Sequence, residues 1–389
     1  MRELTRVVLV AIDGLGHDAL APDETPALWG LAGSGGGAPA RGRASMPATT
    51  YPSFASLLTG ADPEVHGVRT TARRAGAVPG WAGLERAAVP TLVHVARAAG
   101  LPARAILGDH RLQAVLRLDD DGAWPPRGTV PPGVAVDGHG YPANDAVAPI
   151  LLEVAAGRDW RLLFVHLNEL DTIGHDLGPT SEAWSATLHA TDDLVGRMVD
   201  VLRPAWRSTV VVVVSDHGME TRGPAAPLDP GSHPRTGPEV ADWIADGSAA
   251  WVRPRGLAAD CARALAGLPG VAEARTVAPD RVLALAAPGH LFAGPGLPAA
   301  GVHGSRSTAA TVAIVGGGHP AARALAAVMP PAGPPADWWS PRLAGVLGIA
   351  DAVGPTSRGD DGPTATVHGG TGEATRPIRA AVDLPPAHD

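Results

Sequence analysis

The sequence predicts a doubly wound α/β fold, in which a mostly parallel β-sheet carries helices on both faces. Residues 7–12 and 209–214 are continuous β-branched and aliphatic runs, typical of strands buried on both faces of a parallel sheet. Segments with helical periodicity alternate with such runs through the first half of the chain. Polar residues that suit metal binding follow several of these strands, at the edge where open α/β sheets bind ligands.

The elements of the predicted main sheet can be placed in chain order. They are a strand (7–12), a helix (25–31), a helix (52–59), a helix (90–99), a strand (103–107), a helix (145–156), a strand (161–167), a helix (181–202) and a strand (209–214). The glycine-rich stretch 33–37 lacks the flanking strand and helix of a nucleotide-binding loop, so we interpret it as a surface loop.

The texture of the sequence changes after the strand at 209–214. Residues 221–236 are rich in Pro and Gly, and a strand (249–252), a helix (257–268) and a strand (281–286) follow before a strand (311–315) and a helix (341–347) return to the main sheet. We therefore expect a metal-binding catalytic core at 1–218 and 303–352 and an inserted small α+β cap at 219–302. Residues 354–389 are polar and aperiodic, which predicts a disordered tail.

Composition excludes several classes of protein. The 389 residues carry a formal net charge of -8 without long charge runs, so we expect no nucleic-acid polymer as partner. No apolar stretch approaches the length of a membrane span, and the first apolar run is too short for a signal-peptide core. With one cysteine, Cys261, no internal disulfide is possible. We expect a cytoplasmic protein without a membrane partner, and the oligomeric state stays open.

Carboxylate and imidazole residues gather at the predicted strand ends. Asp13 follows the first strand, Asp216 and His217 follow the strand at 209–214, and Asp171 and His175 follow the strand at 161–167. The last two would share a face if their segment is helical. Oxygen and imidazole ligands together suit Zn²⁺, with Mn²⁺ or Fe as alternatives. Each residue alone would also fit a turn, a helix cap or an ion pair.

An ordered set of short motifs resembles one known family. The motifs are AIDG (11–14), PATTYPS (47–53), TG (59–60), PEVHG (63–67), DTIGH (171–175), SDHGM (215–219) and VHGS (302–305). Together they resemble the type I phosphodiesterase/nucleotide pyrophosphatase branch of the alkaline phosphatase superfamily, over about residues 5–350. The resemblance implies an alkaline-phosphatase-like fold and a hydrolase with two divalent metal ions, acting on a small phosphate ester or phosphonate.

The resemblance also implies a role for individual residues. One metal would be held by Asp171, His175 and His303. The second would be held by Asp13, Asp216, His217 and the hydroxyl of Thr50. Thr50 would be the nucleophile and form a covalent phospho-enzyme, because metal coordination activates an otherwise poor hydroxyl nucleophile.

Several positions leave alternatives open. Thr49 competes with Thr50, but the family places an aromatic residue and then Pro after the nucleophile, which selects Thr50. Three further histidines compete with His303 as the last ligand, namely His233, His319 and His368. We expect Thr50 to lie just before a helix opened by Pro52, where free backbone N–H groups would favour a phosphate oxygen. His66 matches a family position that is not a ligand.

Ser53 departs from the family pattern, which has Asn three residues after the nucleophile. That Asn donates a hydrogen bond to a nonbridging phosphate oxygen, and a serine hydroxyl could donate in its place. A phosphonoacetate-type carbon–phosphorus hydrolase and a phosphomonoesterase therefore stay as alternatives, as does a catalytically silent binding protein of the same fold. Four arginines are possible anion clamps, although solvated surface positions explain them better. These are Arg69, Arg73, Arg74 and Arg306.

Overall fold

The computed structural model describes residues 4–71, 85–118, 122–294 and 300–352. The predicted tail at 354–389 lies outside these ranges, and so do Arg73, Arg74 and His368. Among the helices of the described ranges, none is long and apolar enough to cross a membrane.

A seven-stranded sheet organises the main part of the described structure. The strands of the described chain are β1 (Arg6–Ile12), β2 (Ala40–Arg43), β3 (Ala103–Leu107), β4 (Ala123–Trp124), β5 (Leu162–Leu167), β6 (Thr209–Val214), β7 (Glu220–Thr221), β8 (Val240–Asp246), β9 (Ala249–Pro254), β10 (Val271–Ala278), β11 (Arg281–Ala286), β12 (Gly301–Val302) and β13 (Ala310–Gly317). The order of the seven-stranded sheet is β2-β13-β6-β1-β5-β3-β4, with β13 antiparallel to β2 and β6 and every other pairing parallel. The predicted α/β fold with a mostly parallel sheet is confirmed.

Helices cover both faces of this sheet. The α-helices of the described chain are α1 (Pro26–Ser34), α2 (Thr50–Thr59), α3 (Pro63–His66), α4 (Leu92–Ala98), α5 (Leu112–Leu116), α6 (Asn144–Ala156), α7 (Glu169–Leu177), α8 (Glu182–Leu202), α9 (Ala258–Ala266), α10 (Pro320–Ala327) and α11 (Trp339–Leu347). Of these, α9 packs on a second sheet. Side chains of β1 alternate between two cores: Leu9 packs with α2, α4 and α11, and Val10 packs with α1, α6 and α8. Burial on both faces explains why β1 and β6 are apolar without interruption.

A second, four-stranded antiparallel sheet forms between residues 240 and 286. Its order is β10-β11-β9-β8, and α9 packs on it with the buried Cys261. The short strand β7, which precedes this sheet in the chain, pairs antiparallel with β12, which follows it. The division of the chain into a core and a cap stays a prediction.

Several elements differ from the prediction. The strands β2, β4, β8 and β10 and the helix α5 were not predicted, and α1 continues to Ser34 into the supposed glycine-rich loop. β2 has the sequence ARGR and lies at a sheet edge, so it lacks the apolar pattern of a buried strand. The helix expected from Pro52 starts at Thr50, because Pro52 occupies its first turn, where a missing N–H costs no helical hydrogen bond.

Candidate metal centre and active site

Most predicted ligands lie together at the carboxyl ends of three adjacent parallel strands. β1 lies between β5 and β6, and Asp13 follows β1 directly. Asp216 and His217 come just after β6. Asp171 and His175 lie on α7, which begins shortly after β5, so the expected helical spacing is present. Neighbouring strands that run in the same direction therefore deliver these side chains to one edge of the sheet.

The first group contains Asp13, Asp216, His217 and Thr50. His217 Nε2 lies 3.0 Å from Asp216 Oδ2 and 3.4 Å from Asp13 Oδ1. Thr50 Oγ1 lies 3.2 Å from the same His217 nitrogen. The backbone amide of Gly14 donates to Asp216 Oδ1 at 3.2 Å and so fixes the orientation of this carboxylate.

The second group contains Asp171, His175 and His303. Asp171 Oδ1 lies 3.5 Å from His175 Nε2 and 3.7 Å from His303 Nε2, and the two imidazole nitrogens are 3.1 Å apart. The groups adjoin, because the rings of His217 and His303 stack with centroids 3.6 Å apart. Ligand atoms of Asp171, His217 and His303 all lie within 4.8 Å of one another, as do those of Asp13, Asp216 and His217. His217 thus belongs to both clusters.

The three histidines share one hydrogen-bond arrangement. Nδ1 contacts a backbone carbonyl in each case: Gly218 for His217, Gly301 for His175 and Ala48 for His303, at 3.0, 3.0 and 3.1 Å. A carbonyl oxygen only accepts, so Nδ1 carries the proton and Nε2 is directed to the cluster. A backbone carbonyl on the second nitrogen is the usual support of a metal-binding histidine.

The carboxylates carry buried oxygens that the protein leaves unpaired. Asp13 Oδ1, Asp171 Oδ1 and Asp216 Oδ2 are buried and have no hydrogen-bond partner among the described residues. Such atoms are costly to bury unless something else binds them. The donor set therefore fits divalent cations at this position.

The electrostatics of the first group also favour a cation. Burial and the charge of Asp216 raise the pKa of Asp13 well above its ordinary value. Burial opposes the charged form of His217, but the adjacent Asp216 carboxylate outweighs it and raises the pKa of His217 to about 9. The site concentrates negative charge that the protein's own residues neutralise only in part.

Thr50 is the first residue of α2, and Thr49 is its N-cap. Backbone N–H groups beside Thr50 were expected to be free, but two of them donate hydrogen bonds within the protein. The amide of Tyr51 donates to Thr71 Oγ1 at 3.1 Å, and the amide of Ser53 donates to the Thr49 carbonyl at 3.1 Å. In contrast, Ser53 Oγ is fully buried and has no hydrogen-bond partner among the described residues.

Two residues near the site were missed in the sequence. His166 is fully buried in β5 and contacts Asp13 Oδ2 through Nε2 at 3.0 Å. Burial lowers the pKa of His166 to about 4, so this ring is neutral. Asp109 is buried beside it and accepts a hydrogen bond from the Tyr51 hydroxyl at 2.9 Å. The sequence signal that could have pointed to His166 is the presence of a histidine within the otherwise apolar strand LLFVHL.

The competing histidines lie in other environments. His319 is the N-cap of α10, and its ring accepts from the amide of Ala321. The ring of His233 accepts from the amide of Arg235 in a turn. His66 is fully buried and pairs with Ser56 Oγ at 3.0 Å, as a structural residue would.

The two described arginines among the proposed anion clamps are engaged in ion pairs. Arg69 lies 3.4 Å from Glu64 and 3.6 Å from Glu85, and it is half-buried rather than fully solvated. Arg306 is exposed and pairs with both carboxylate oxygens of Glu273.

Comparison with protein families identifies the chain. The model of the type I phosphodiesterase/nucleotide pyrophosphatase family matches residues 7–229, which is more than half of the sequence. The chain belongs to this family. It is thus a phosphodiesterase/pyrophosphatase-family hydrolase of the alkaline phosphatase superfamily, and the family is metal-dependent.

Solved structures share the fold of this family member at low sequence identity. Murine ectonucleotide pyrophosphatase/phosphodiesterase 5, in an inactive form in complex with AMP, is 16% identical with a TM-score of 0.63, and the match covers 88% of this chain and 95% of that one. The human counterpart is 17% identical with a TM-score of 0.62, over 89% and 95%. Phosphonoacetate hydrolase from Sinorhizobium meliloti, in complex with phosphonoformate, is 15% identical with a TM-score of 0.64, over 90% and 96%.

Proposed function

We propose that the chain is a two-metal phosphodiesterase or nucleotide pyrophosphatase that acts through a covalent phosphothreonine at Thr50. The observation that carries this proposal is the position of the Thr50 hydroxyl. It lies 3.2 Å from His217 Nε2, beside a cluster in which three carboxylates each keep a buried oxygen without a partner in the described part of the chain. A hydroxyl beside so many unpaired ligand atoms is placed to be activated.

Each metal would be held by one of the two groups. Asp171, His175 and His303 would bind one ion, and Asp13, Asp216, His217 and Thr50 would bind the other. The mixed oxygen and nitrogen donors favour Zn²⁺, with Mn²⁺ or Fe as alternatives. When bound, the ions would lower the pKa of the hydroxyl and neutralise charge on the attacking and leaving oxygens.

The residues of the chain would perform the following steps. Thr50 Oγ1 loses its proton to solvent and attacks phosphorus, the phosphothreonine ester bond forms, and the bond to the leaving oxygen breaks, so that the leaving group departs with a proton from solvent. Water then attacks the phosphorus of the phosphothreonine, the bond to Thr50 Oγ1 breaks, the threonine hydroxyl is restored and the phosphate product leaves. Ser53 Oγ, which has no partner among the described residues, would donate a hydrogen bond to a nonbridging phosphate oxygen. The substrate would be a small phosphate ester, in line with the AMP bound to the murine neighbour.

A second candidate is a phosphonoacetate-type carbon–phosphorus hydrolase. Ser53 is the residue that favours this second candidate, because the diesterases of this branch carry Asn at that position. The fold neighbour that binds phosphonoformate has a TM-score of 0.64. In this candidate the same metals and Thr50 would act on a phosphonate.

Metal analysis and three substrates would test these proposals. We expect the purified protein to contain two divalent ions per chain and to hydrolyse bis-p-nitrophenyl phosphate faster than p-nitrophenyl phosphate. Phosphate release from phosphonoacetate would favour the second candidate, and a preference for the monoester would indicate a phosphomonoesterase. A protein without bound metal that turns over none of the three would instead be a silent binding protein.

A further inference from the structure

The two oxygens of the Asp13 carboxylate have different surroundings. Oδ2 lies 3.0 Å from His166 Nε2. Oδ1 has no hydrogen-bond partner among the described residues and lies 3.4 Å from His217 Nε2, within the candidate metal cluster. The contact with His166 therefore fixes which oxygen faces the cluster.

A backbone amide determines how His166 is protonated. The N–H of Asp109 donates to His166 Nδ1 at 3.1 Å. Because an amide nitrogen only donates, Nδ1 must present its lone pair, and the proton of the neutral ring lies on Nε2. His166 can thus donate to Asp13 without carrying a charge.

The position of the imidazole is fixed from three sides. In the sheet, His166 pairs in register with Ala11 of β1 and with Leu107 of β3. Phe54 of α2 contacts the ring edge-to-face, with centroids 4.7 Å apart and planes at 82°. The same helix begins at Thr50, so the ring packs against the element that carries the candidate nucleophile.

We propose that His166 is a positioning residue, which donates from Nε2 to Asp13 Oδ2 and thereby presents Oδ1 to one metal ion. This inference rests on the proposed function only in taking Asp13 as a metal ligand. Hydrogen-bonded partners of metal-binding carboxylates orient the ligand, and their loss typically weakens metal binding about 10- to 100-fold.

His66 provides a matched control for a merely structural histidine. It is also fully buried, its Nδ1 accepts from the amide of Val68 at 3.1 Å, and its Nε2 pairs with Ser56 Oγ at 3.0 Å. Neither of these partners is a predicted ligand. Replacing His66 should therefore affect stability without affecting metal binding.

The test measures Zn²⁺ affinity by competition with a chromophoric chelator, together with the melting temperature. In His166→Leu we expect one Zn²⁺ to bind about 10- to 100-fold more weakly and the other to keep its affinity within a few-fold. His166→Gln should restore binding to within a few-fold, because its amide can donate to Asp13 and its carbonyl can accept from Asp109. His66→Leu should have a lower melting temperature than the wild type and should bind both ions with wild-type affinity.

Three outcomes would overturn the proposal. They are wild-type Zn²⁺ affinity in His166→Leu, equal weakening in His166→Gln and His166→Leu, and equal weakening in His66→Leu. If the Leu variant does not fold, His166→Asn replaces it, since its shorter amide cannot reach Asp13, and wild-type affinity in that variant overturns the proposal. Absence of Zn²⁺ binding by the wild type would contradict the proposed function itself.

Discussion

At the level of single residues, the two adjacent threonines at the start of α2 have different surroundings. Both side chains are buried, and Thr50 Oγ1 lies 3.2 Å from Nε2 of the predicted ligand His217. Thr49 serves as the N-cap of the helix. The assignment of Thr50 as the nucleophile, made from the following Tyr51 and Pro52 through the family resemblance, stays a prediction.

Replacing Thr50 should separate chemistry from metal binding. We expect Thr50→Ala to lower turnover by about 10³-fold or more, because the nucleophile is removed. The carboxylate and imidazole ligands remain, so Zn²⁺ content should stay near that of the wild type. Thr49→Ala is the control and should keep most activity. An active Thr50→Ala protein together with an inactive Thr49→Ala protein would show that the nucleophile was assigned to the wrong threonine.

Ser53 should affect activity and stability in opposite directions. Its hydroxyl is buried and has no partner among the described residues, so Ser53→Ala should leave the melting temperature unchanged or raise it, since an unpaired buried hydroxyl costs about 1–3 kcal/mol. If the hydroxyl stabilises the transition state, kcat should fall about 10²-fold. Ser56→Ala, one turn further along α2, is the control: Ser56 pairs with His66, so this variant should melt earlier and keep kcat. An unchanged kcat in Ser53→Ala would exclude the proposed role.

At the level of elements, the hairpin between β8 and β9 lies against the backbone of a candidate ligand. Gly247 has φ +63°, and a Cβ there would be 2.4 Å from the carbonyl oxygen of His303. The amide of the next residue, Ser248, donates to this carbonyl at 2.7 Å. The second sheet therefore helps to hold His303 in place.

Alanine at Gly247 should disturb the site from a distance. We expect Gly247→Ala to destabilise the protein by roughly 1–3 kcal/mol, because of its backbone conformation and the close carbonyl. Zn²⁺ affinity should also fall, since His303 must shift. Gly256→Ala is the control, because among the described residues, apart from its chain neighbours, no heavy atom lies within 4 Å of its added Cβ. If the two variants have the same Zn²⁺ affinity, the hairpin does not support His303.

The sequence predicted the central elements better than the peripheral ones. β1, β5 and β6 are buried on both faces, so their apolar runs, interrupted in β5 by His166, were sufficient evidence. β2 and β10 are edge strands with exposed polar residues, and their pairing depends on distant partners that no local pattern shows. Asp13, Asp216 and His217 could be singled out as candidate ligands because they follow strands, and His303 came from the family resemblance. His166 was missed because it lies inside a strand.

At the level of the whole molecule, bound metal should contribute to stability. Without a cation the site holds three carboxylates that each have a buried oxygen without a partner among the described residues, and burial together with Asp216 already raises the pKa of Asp13. A ligand that binds only the folded state stabilises it by about 2.7 kcal/mol at a concentration 100 times its Kd. We expect a strong chelator to lower the melting temperature by several degrees and added Zn²⁺ to restore it. Equal melting temperatures in both conditions would contradict a metal-stabilised fold.

The order in which the sheet is assembled has a consequence for synthesis on the ribosome. β2 is made early, yet it pairs with β13, which comes near the end of the described chain. His303 also emerges late, after both β8 and β9. When Asp13, Asp216 and His217 have left the ribosome, the nascent chain therefore still lacks the candidate ligand His303. It also lacks β13, the strand with which β2 pairs. Completion of the candidate metal centre is thus expected to be a late event, which follows the synthesis of almost the whole seven-stranded sheet.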